Sequence, residues 1–370
     1  VRLDWLQLTD VRAYQSLEVR PDPEVNVLVG DNGAGKTTVL EAIGYLASMK
    51  SFRRAPDASL IRDGAETAVI RGEFSKGEIR VRVEVEIPRT GRRRVLVNGK
   101  RPSTMASVAG EIPLVTFLPD DLDLIKRGPA YRREYLDDLV VSLRPAVAVD
   151  LQGYERAVRQ RNALLRRDGR YADTMTLDVL DQRIAELGAI VLGLRLDLLE
   201  RLGPVLSGLY AVLGDGPEQV AWIYERSHGG PIVGVSPRPD LGADLAAALA
   251  AARQTDLDRR TTTVGPHRDE IVLTLANRDV RTRASQGEQR SVALGLRVAA
   301  YDLLRERGDV PVLVLDDVFS ELDEGRSRRL VDRLPEGQVF VSSAREDEVP
   351  VRGRRWQVTA GSITGVGEES

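Results

Sequence analysis

One stretch limits the folds open to this chain more than any other. Val25-Asn26-Val27-Leu28-Val29 is a short apolar run, Gly30-Asp31-Asn32-Gly33-Ala34-Gly35-Lys36-Thr37-Thr38 follows it, and Val39-Leu40-Glu41-Ala42-Ile43 favours helix. Strand, glycine loop and helix in that order form the context that the pattern G-x-x-x-x-G-K-[ST] requires of a phosphate-binding loop. Gly30, Gly33 and Gly35 let backbone N–H groups converge on phosphate oxygens where side chains would stand in the way. Asp31, Asn32, Ala34 and Thr38 complete the cradle. Lys36 is placed to reach the β and γ phosphates, and the Thr37 hydroxyl is a magnesium ligand. The helix opening near Lys36 adds the positive end of its dipole. A glycine-rich turn that binds nothing has no need of the apolar strand and the helix that flank it. The stretch is therefore expected to bind a nucleotide with Mg2+, and by itself it leaves the whole P-loop class open.

The 370 residues are enough for two or three domains. With no cysteine, disulfides, thiolate metal sites and cysteine nucleophiles are excluded, and a reducing cytoplasm is compatible. Two histidines leave little room for zinc chemistry. A formal charge of -3 gives no global field to attract nucleic acid, so any DNA contact must use a local basic patch. No window reaches the roughly 18 apolar residues of a membrane span. The chain reads as soluble, unprocessed and cytoplasmic, with no membrane partner.

Leu3 to Leu8 alternates as a strand, Leu17 to Val19 is a candidate partner, and Arg12 between them is either a phosphate contact from a neighbouring strand end or an ordinary surface arginine. Ile79, Val81, Val83, Val85 and Ile87 alternate with charged residues, which predicts a half-buried strand, and Asn98-Gly99 signals a hairpin turn. From Arg71 to Arg101 there are ten Lys or Arg against four Glu, the most basic stretch of the chain. Interspersed signs at Arg80 to Glu86 read as a solvated face. Arg92, Arg93, Arg94, Lys100 and Arg101 cluster at one hairpin and suit a DNA phosphate backbone, with Lys50, Arg53 and Arg54 as possible neighbours.

From about Leu118 to Arg260 the pattern is helical. Leu177, Leu180, Ile184, Leu187, Val191, Leu194 and Leu198 form the seam of a short coiled coil or bundle, with Tyr154 to Arg167 as antiparallel partner. Leu241 to Arg253 is a further helix, and Ala221 to Glu225 a candidate strand. Glu270 to Leu275 and Val280 to Arg283 are expected to resume the sheet, with a turn at Asn277. Pro311 to Asp317 is an apolar strand ending in two carboxylates, followed by a helix to Leu334 and a strand from Gln338 to Ser343. The expected class is α/β: a head of residues 1–117 and 261–370 with a mixed, mainly parallel sheet, a β-rich subregion at 66–117, and an inserted helical arm at 118–260.

Asp316 at the strand end can hold magnesium through water, and Asp317 beside it can orient or deprotonate an attacking water. Ser285-Gln286-Gly287-Glu288-Gln289 resembles the signature motif of ABC-type ATPases, in which Ser and Gly at a helix start receive a γ phosphate. That resemblance implies that Ser285, Gln286, Gly287 and Glu288 close on the nucleotide of the other subunit of a dimer. The signature lies about 250 residues beyond Lys36, with a helical arm between, as in SMC- and Rad50-like proteins.

Four further segments narrow the resemblance: Ser51-Phe52-Arg53, Asp121 to Lys126 with Pro129 and Arg132-Arg133, Gln160-Arg161-Asn162, and Gly265-Pro266-His267-Arg268-Asp269. With them the chain resembles, over essentially its whole length, the RecF family of SMC/Rad50-like ABC-type ATPases. The resemblance implies a slow, DNA-dependent ATPase that dimerises on ATP and binds single-stranded DNA and single/double-strand junctions. It further implies action with RecO and RecR to load RecA at gaps or stalled forks, supporting DNA repair, DNA replication and the SOS response.

Three positions depart from the wider ABC pattern. Asp317 replaces the usual Glu, the strand Phe340 to Ala344 has no switch histidine and offers Ser343 as nearest polar substitute, and Phe117 to Asp123 contains no glutamine. His267 reads equally as a catalytic base and as a structural residue. Two other classes stay open at this point: another SMC/Rad50-like ATPase or a transporter nucleotide-binding subunit, and a module that holds ATP without hydrolysis.

Overall fold

The apolar run before the glycine loop forms the strand Val25–Val29, and its neighbours explain why it is apolar on both faces. It lies inside a six-stranded sheet ordered Ser362–Val366, Arg354–Thr359, Val25–Val29, Val339–Ser343, Val312–Asp316, Leu114–Phe117. All pairings are parallel except that of the edge strand Ser362–Val366, and parallel strands covered on both sides read as continuous apolar runs. Parallel register brings three chain segments to one end of the sheet: the loop after Val29, the carboxylates after Leu315, and Ser342, which stands opposite Asp316. Ligands of such sheets bind outside the carboxyl ends of the strands.

The computed structural model describes residues 1–102, 105–213, 218–233, 240–334 and 337–366. The chain divides into two units, Val1–Asp121 with Arg297–Ser370, and Leu122–Leu296. In the first, the loop helix Lys36–Ser48 shares a core with strands of both sheets: Leu40, Ile43 and Leu46 cluster with Leu3, Leu6, Phe74 and Val83 of an antiparallel sheet and with Val312 and Phe340 of the parallel one. That antiparallel sheet runs Tyr14–Val19, Arg2–Val11, Thr67–Lys76, Ile79–Pro88, Arg94–Val97. Val81, Val83, Val85 and Ile87 face inward as their alternation predicts, while Ile79, expected with them, is 62% exposed at the turn end of its strand. Of the β-rich stretch, Leu114–Phe117 leaves this sheet and joins the parallel one.

The second unit holds the predicted helical hairpin. Ala148–Asp168 and the 40-residue Thr174–Leu213 pack together, and Leu241–Arg259 completes a three-helix core of Tyr154, Val158, Ile184, Leu187, Val191, Leu245 and Leu249. Arg161 is the polar centre of these helices. Its Nε donates to Asp181 Oδ1 (2.5 Å) and its Nη1 to Asp256 Oδ2 (2.7 Å) and Thr262 Oγ1 (3.1 Å), while the Thr262 N–H donates to Asn162 Oδ1 at 2.7 Å. The Gln160-Arg161-Asn162 segment thus ties the arm together from within.

Glu270–Leu275 does not resume the parallel sheet. It pairs antiparallel with Val220–Glu225, in register from Glu270 opposite Glu225 to Leu275 opposite Val220, so residues 261–296 group with the arm rather than with the phosphate loop. Val280–Arg283 is a short helix instead of the expected strand, because the Asp279 carboxylate caps it by accepting the Thr282 N–H at 2.9 Å.

Candidate nucleotide and nucleic-acid sites

The phosphate loop is shaped by what lies behind it. A Cβ on Gly30 would stand 2.2 Å from the Val358 carbonyl oxygen, and Gly35, the N-cap of the loop helix, has φ of 113°, where a side chain is strained. Lys36 is buried and folds back on the loop, donating to the Gly30 and Asp31 carbonyls at 2.5 and 3.0 Å. Burial lowers its pKa against the opposing pull of Asp317, Asp316 and Asp31.

Opposite the loop, Thr37 Oγ1 donates to Asp316 Oδ1 at 3.1 Å, and Ser342 Oγ donates to the same oxygen at 2.6 Å. The Asp317 N–H in turn donates to Ser342 Oγ at 3.0 Å. Asp317 sits at φ of 52°, uncommon for a residue with a side chain, and one of its buried carboxylate oxygens has no hydrogen-bond partner among the described residues. Burial raises its pKa, reinforced by Asp316 and offset by Ser320 and Lys36. These oxygens suit magnesium, which takes one or two protein oxygens together with phosphates and water.

Ser343, chosen from the sequence as the polar substitute in this strand, points elsewhere and donates to Glu348 Oε2 at 3.1 Å. Strand alternation turns adjacent residues to opposite faces, so the serine at the carboxylates is Ser342. The pairing of the two strands carries that information, and the sequence does not state it.

Arg12 faces Glu41, a fully buried residue of the loop helix: its Nη2 lies 3.1 Å from Oε1 and 3.0 Å from Oε2, and Ser51 Oγ also donates to Oε1. The Ser51-Phe52-Arg53 segment therefore supports the loop helix from below. In place of a glutamine after Phe117, Asp121 is buried, accepting the Leu118 N–H at 2.9 Å and two bonds from Arg297 at 3.0 and 2.5 Å.

In the second unit Ser285 and Glu288 form a capping box at the start of Gln286–Arg305. The Glu288 N–H donates to Ser285 Oγ (3.2 Å) and the Ser285 N–H to Glu288 Oε2 (2.5 Å), which lowers the Glu288 pKa. Ser285 and Gln286 are exposed. His267 takes the structural one of its two readings: it is largely buried, Nδ1 lies 2.7 Å from Tyr154 Oη and Nε2 3.3 Å from the Thr262 carbonyl, and burial lowers its pKa to about 4. A neutral ring donating from Nε2 and accepting at Nδ1 satisfies both contacts.

The basic hairpin is split. Val97 and Lys100 close a two-residue turn at Asn98-Gly99, both with positive φ, as the dipeptide predicts. Arg92, Arg94, Lys100 and Arg101 are exposed and have no ion-pair partner among the described residues. Arg93 turns inward, donating to Tyr45 Oη (2.7 Å), the Met49 carbonyl (2.8 Å) and Asp57 (3.1 Å), and so leaves the surface cluster expected from sequence. Arg71, Arg80 and Arg82 pair with Glu84 and Glu73 across the same sheet, the solvated face anticipated there.

A family model described as RecF/RecN/SMC N terminal domain matches residues 2–361. A DNA replication and repair protein RecF of Streptomyces avermitilis is 43% identical over 368 residues, covering 97% of this chain and 98% of its own. Another, of Acidothermus cellulolyticus, is 41% identical over 361 residues, covering 96% and 97%. Of solved structures, the recombination mediator protein RecF-ATPrS in the RecFOR pathway superposes with a TM-score of 0.90 at 28% identity, over 99% of this chain and 98% of that one. An SMC head bound to the C-winged helix domain of ScpA, with a TM-score of 0.57 at 17% identity, shares the fold alone. No helix among the described residues is long and apolar enough to cross a membrane. The chain belongs to the RecF family of DNA replication and repair proteins, built on an ABC-type ATPase head.

Proposed function

We propose that the chain is an ATP-dependent, DNA-binding protein of recombinational repair and replication restart, and a slow, DNA-stimulated ATPase. The observation that carries this reading is the chain of bonds from Thr37 through Asp316 and Ser342 to Asp317, beside the buried Lys36. Residues 30–38 receive the triphosphate through loop N–H groups and the Lys36 ammonium. Thr37 and Asp316 would hold Mg2+, which when bound would offset the negative charge of the phosphates. Asp317, whose free carboxylate oxygen is the available acceptor, orients water and takes its proton. Its short side chain and the lack of a histidine in Val339–Ser343 support low turnover, with ATP acting as a timer. Arg12 acts through Glu41, as a support for the loop helix.

Ser285, with the N-terminal N–H groups of its helix, closes on the γ phosphate of a second copy, so ATP drives a homodimer. DNA, as single strands or single/double-strand junctions, binds the exposed cations Arg92, Arg94, Lys100 and Arg101. With RecO and RecR, the cytoplasmic dimer loads RecA at gaps and stalled forks and supports the SOS response. The head comprises both ends of the chain and the arm the segment between.

Light scattering with and without ATP and DNA tests this reading. A mass that doubles with ATP-Mg2+ and returns to monomer as phosphate is released is the expected result. A monomer at saturating ATP would remove the dimer, and phosphate release indifferent to DNA would remove the DNA-dependent ATPase.

A further inference from the structure

Tyr14 begins the strand Tyr14–Val19, opposite Val11 across the two-residue turn Arg12-Ala13. Its side chain is 0% exposed, and its hydroxyl has no hydrogen-bond partner among the described residues. The end of the ring lies against the phosphate loop: a Cβ built on Gly35 would stand 2.7 Å from the hydroxyl oxygen and 2.9 Å from Cζ. The missing side chain at Gly35 is what makes room for it.

A phenylalanine would fill the same space without burying an unpaired hydroxyl, and an unpaired buried hydroxyl is destabilising. Lys36 donates to the loop carbonyls, Thr37 to Asp316 and Arg12 Nη2 to Glu41, and Arg12 Nε, itself a donor and so no acceptor for the phenol, also has no partner among the described residues. A buried hydroxyl with no acceptor among the described residues, pressed on the element that receives phosphate, has its use when that element holds a phosphate. Burial also raises the phenol pKa, so the group is a neutral donor suited to an anionic site.

We propose that Tyr14 is a positioning residue for nucleotide, whose hydroxyl donates to an oxygen acceptor presented by the phosphate-loaded loop. The hairpin turn that carries it then holds the loop helix at two points, Tyr14 at Gly35 and Arg12 at Glu41. This inference rests on the nucleotide-binding reading of the loop.

The test compares full-length wild type, Tyr14→Phe and Lys36→Ala for ATP and ADP affinity in Mg2+, with thermal unfolding measured without nucleotide. Tyr14→Phe is expected to melt at or above the wild-type temperature and to bind both nucleotides about tenfold more weakly, the loss of one hydrogen bond to a charged acceptor. Wild-type affinity in Tyr14→Phe would overturn the proposal. So would a lowered melting temperature without nucleotide, because the hydroxyl would then already have a partner in the empty protein. Failure of the wild type to bind either nucleotide would overturn the loop reading and this inference with it.

Discussion

Ser342 and Asp316 stand opposite each other on neighbouring parallel strands, and the serine hydroxyl donates to the aspartate at 2.6 Å. The same hydroxyl accepts the Asp317 N–H, so one side chain sets the positions of both carboxylates. Ser342→Ala should slow single-turnover phosphate release about tenfold, the worth of one hydrogen bond to a charged group, while ATP affinity changes little. Ser343→Ala, which removes bonds to Glu348 and to the Arg345 N–H and none to the carboxylates, should turn over normally.

Asp317→Asn separates binding from hydrolysis. An amide cannot take a proton from water, so the variant should bind ATP and Mg2+ yet release phosphate at least about a hundredfold more slowly, and remain dimeric longer. In the wild type, the raised Asp317 pKa should move the acid limb of the pH–rate profile to higher pH, because the base must be ionised to act. An acid limb unchanged by the substitution would assign that limb to another group.

Ser285→Arg introduces bulk and charge at the exposed mouth of the capping box. It should leave ATP affinity near wild type and abolish the ATP-dependent dimer seen by light scattering. Glu288→Ala, which removes the acceptor of the Ser285 N–H, should weaken the dimer less, and Glu288→Gln should restore it, since an amide oxygen accepts the same bond.

The basic hairpin predicts two different failures. Replacing Arg92, Arg94, Lys100 and Arg101 by Glu should weaken DNA binding similarly on unrelated sequences and flatten the salt dependence by about 0.9 in log–log slope per lost phosphate contact on a duplex. Arg93→Glu should instead lower the melting temperature, since it strands the Tyr45 hydroxyl and the Met49 carbonyl, worth roughly 1–3 kcal/mol each.

His267 predicts a loss of stability on acidification. Its folded pKa is about 4 against 6.5 unperturbed. As pH falls from about 6.5 the unfolded chain gains a proton that the folded ring refuses until about 4, so stability declines across that window and levels off below it. Denaturant midpoints for His267→Gln should fall less between pH 7.5 and pH 5 than those of the wild type.

The phosphate loop, the carboxylate strand, the arm hairpin and the Asn98-Gly99 turn were legible because each depends on local pattern: glycine spacing, apolar runs, heptads, a dipeptide. What escaped depends on pairing between distant segments. Glu270–Leu275 has the alternation of a strand but nothing in it names Val220–Glu225 as its neighbour. Arg92, Arg93 and Arg94 are one residue type, and only the proximity of Tyr45 and Asp57 separates the half-buried, hydrogen-bonded member from the exposed ones. Ser342 and Ser343 differ by one step along a strand, and only sheet register tells which meets Asp316.

The Arg161 cluster bears on how such a chain can drift over generations. Lysine lacks the planar fork that reaches Asp181, Asp256 and Thr262 at once, and a neutral replacement leaves Asp256 buried without its cation and Asp181 with Arg253 alone. An apolar core of similar volume would be tolerated, yet reaching it takes changes at Arg161, Asp181 and Asp256 together. Every single-step route passes through a destabilised intermediate. Substitutions should therefore accumulate on the solvent side of these helices while the triplet around Arg161 is retained, a lineage marker preserved by the steepness of the surrounding fitness landscape and not by contact with any ligand.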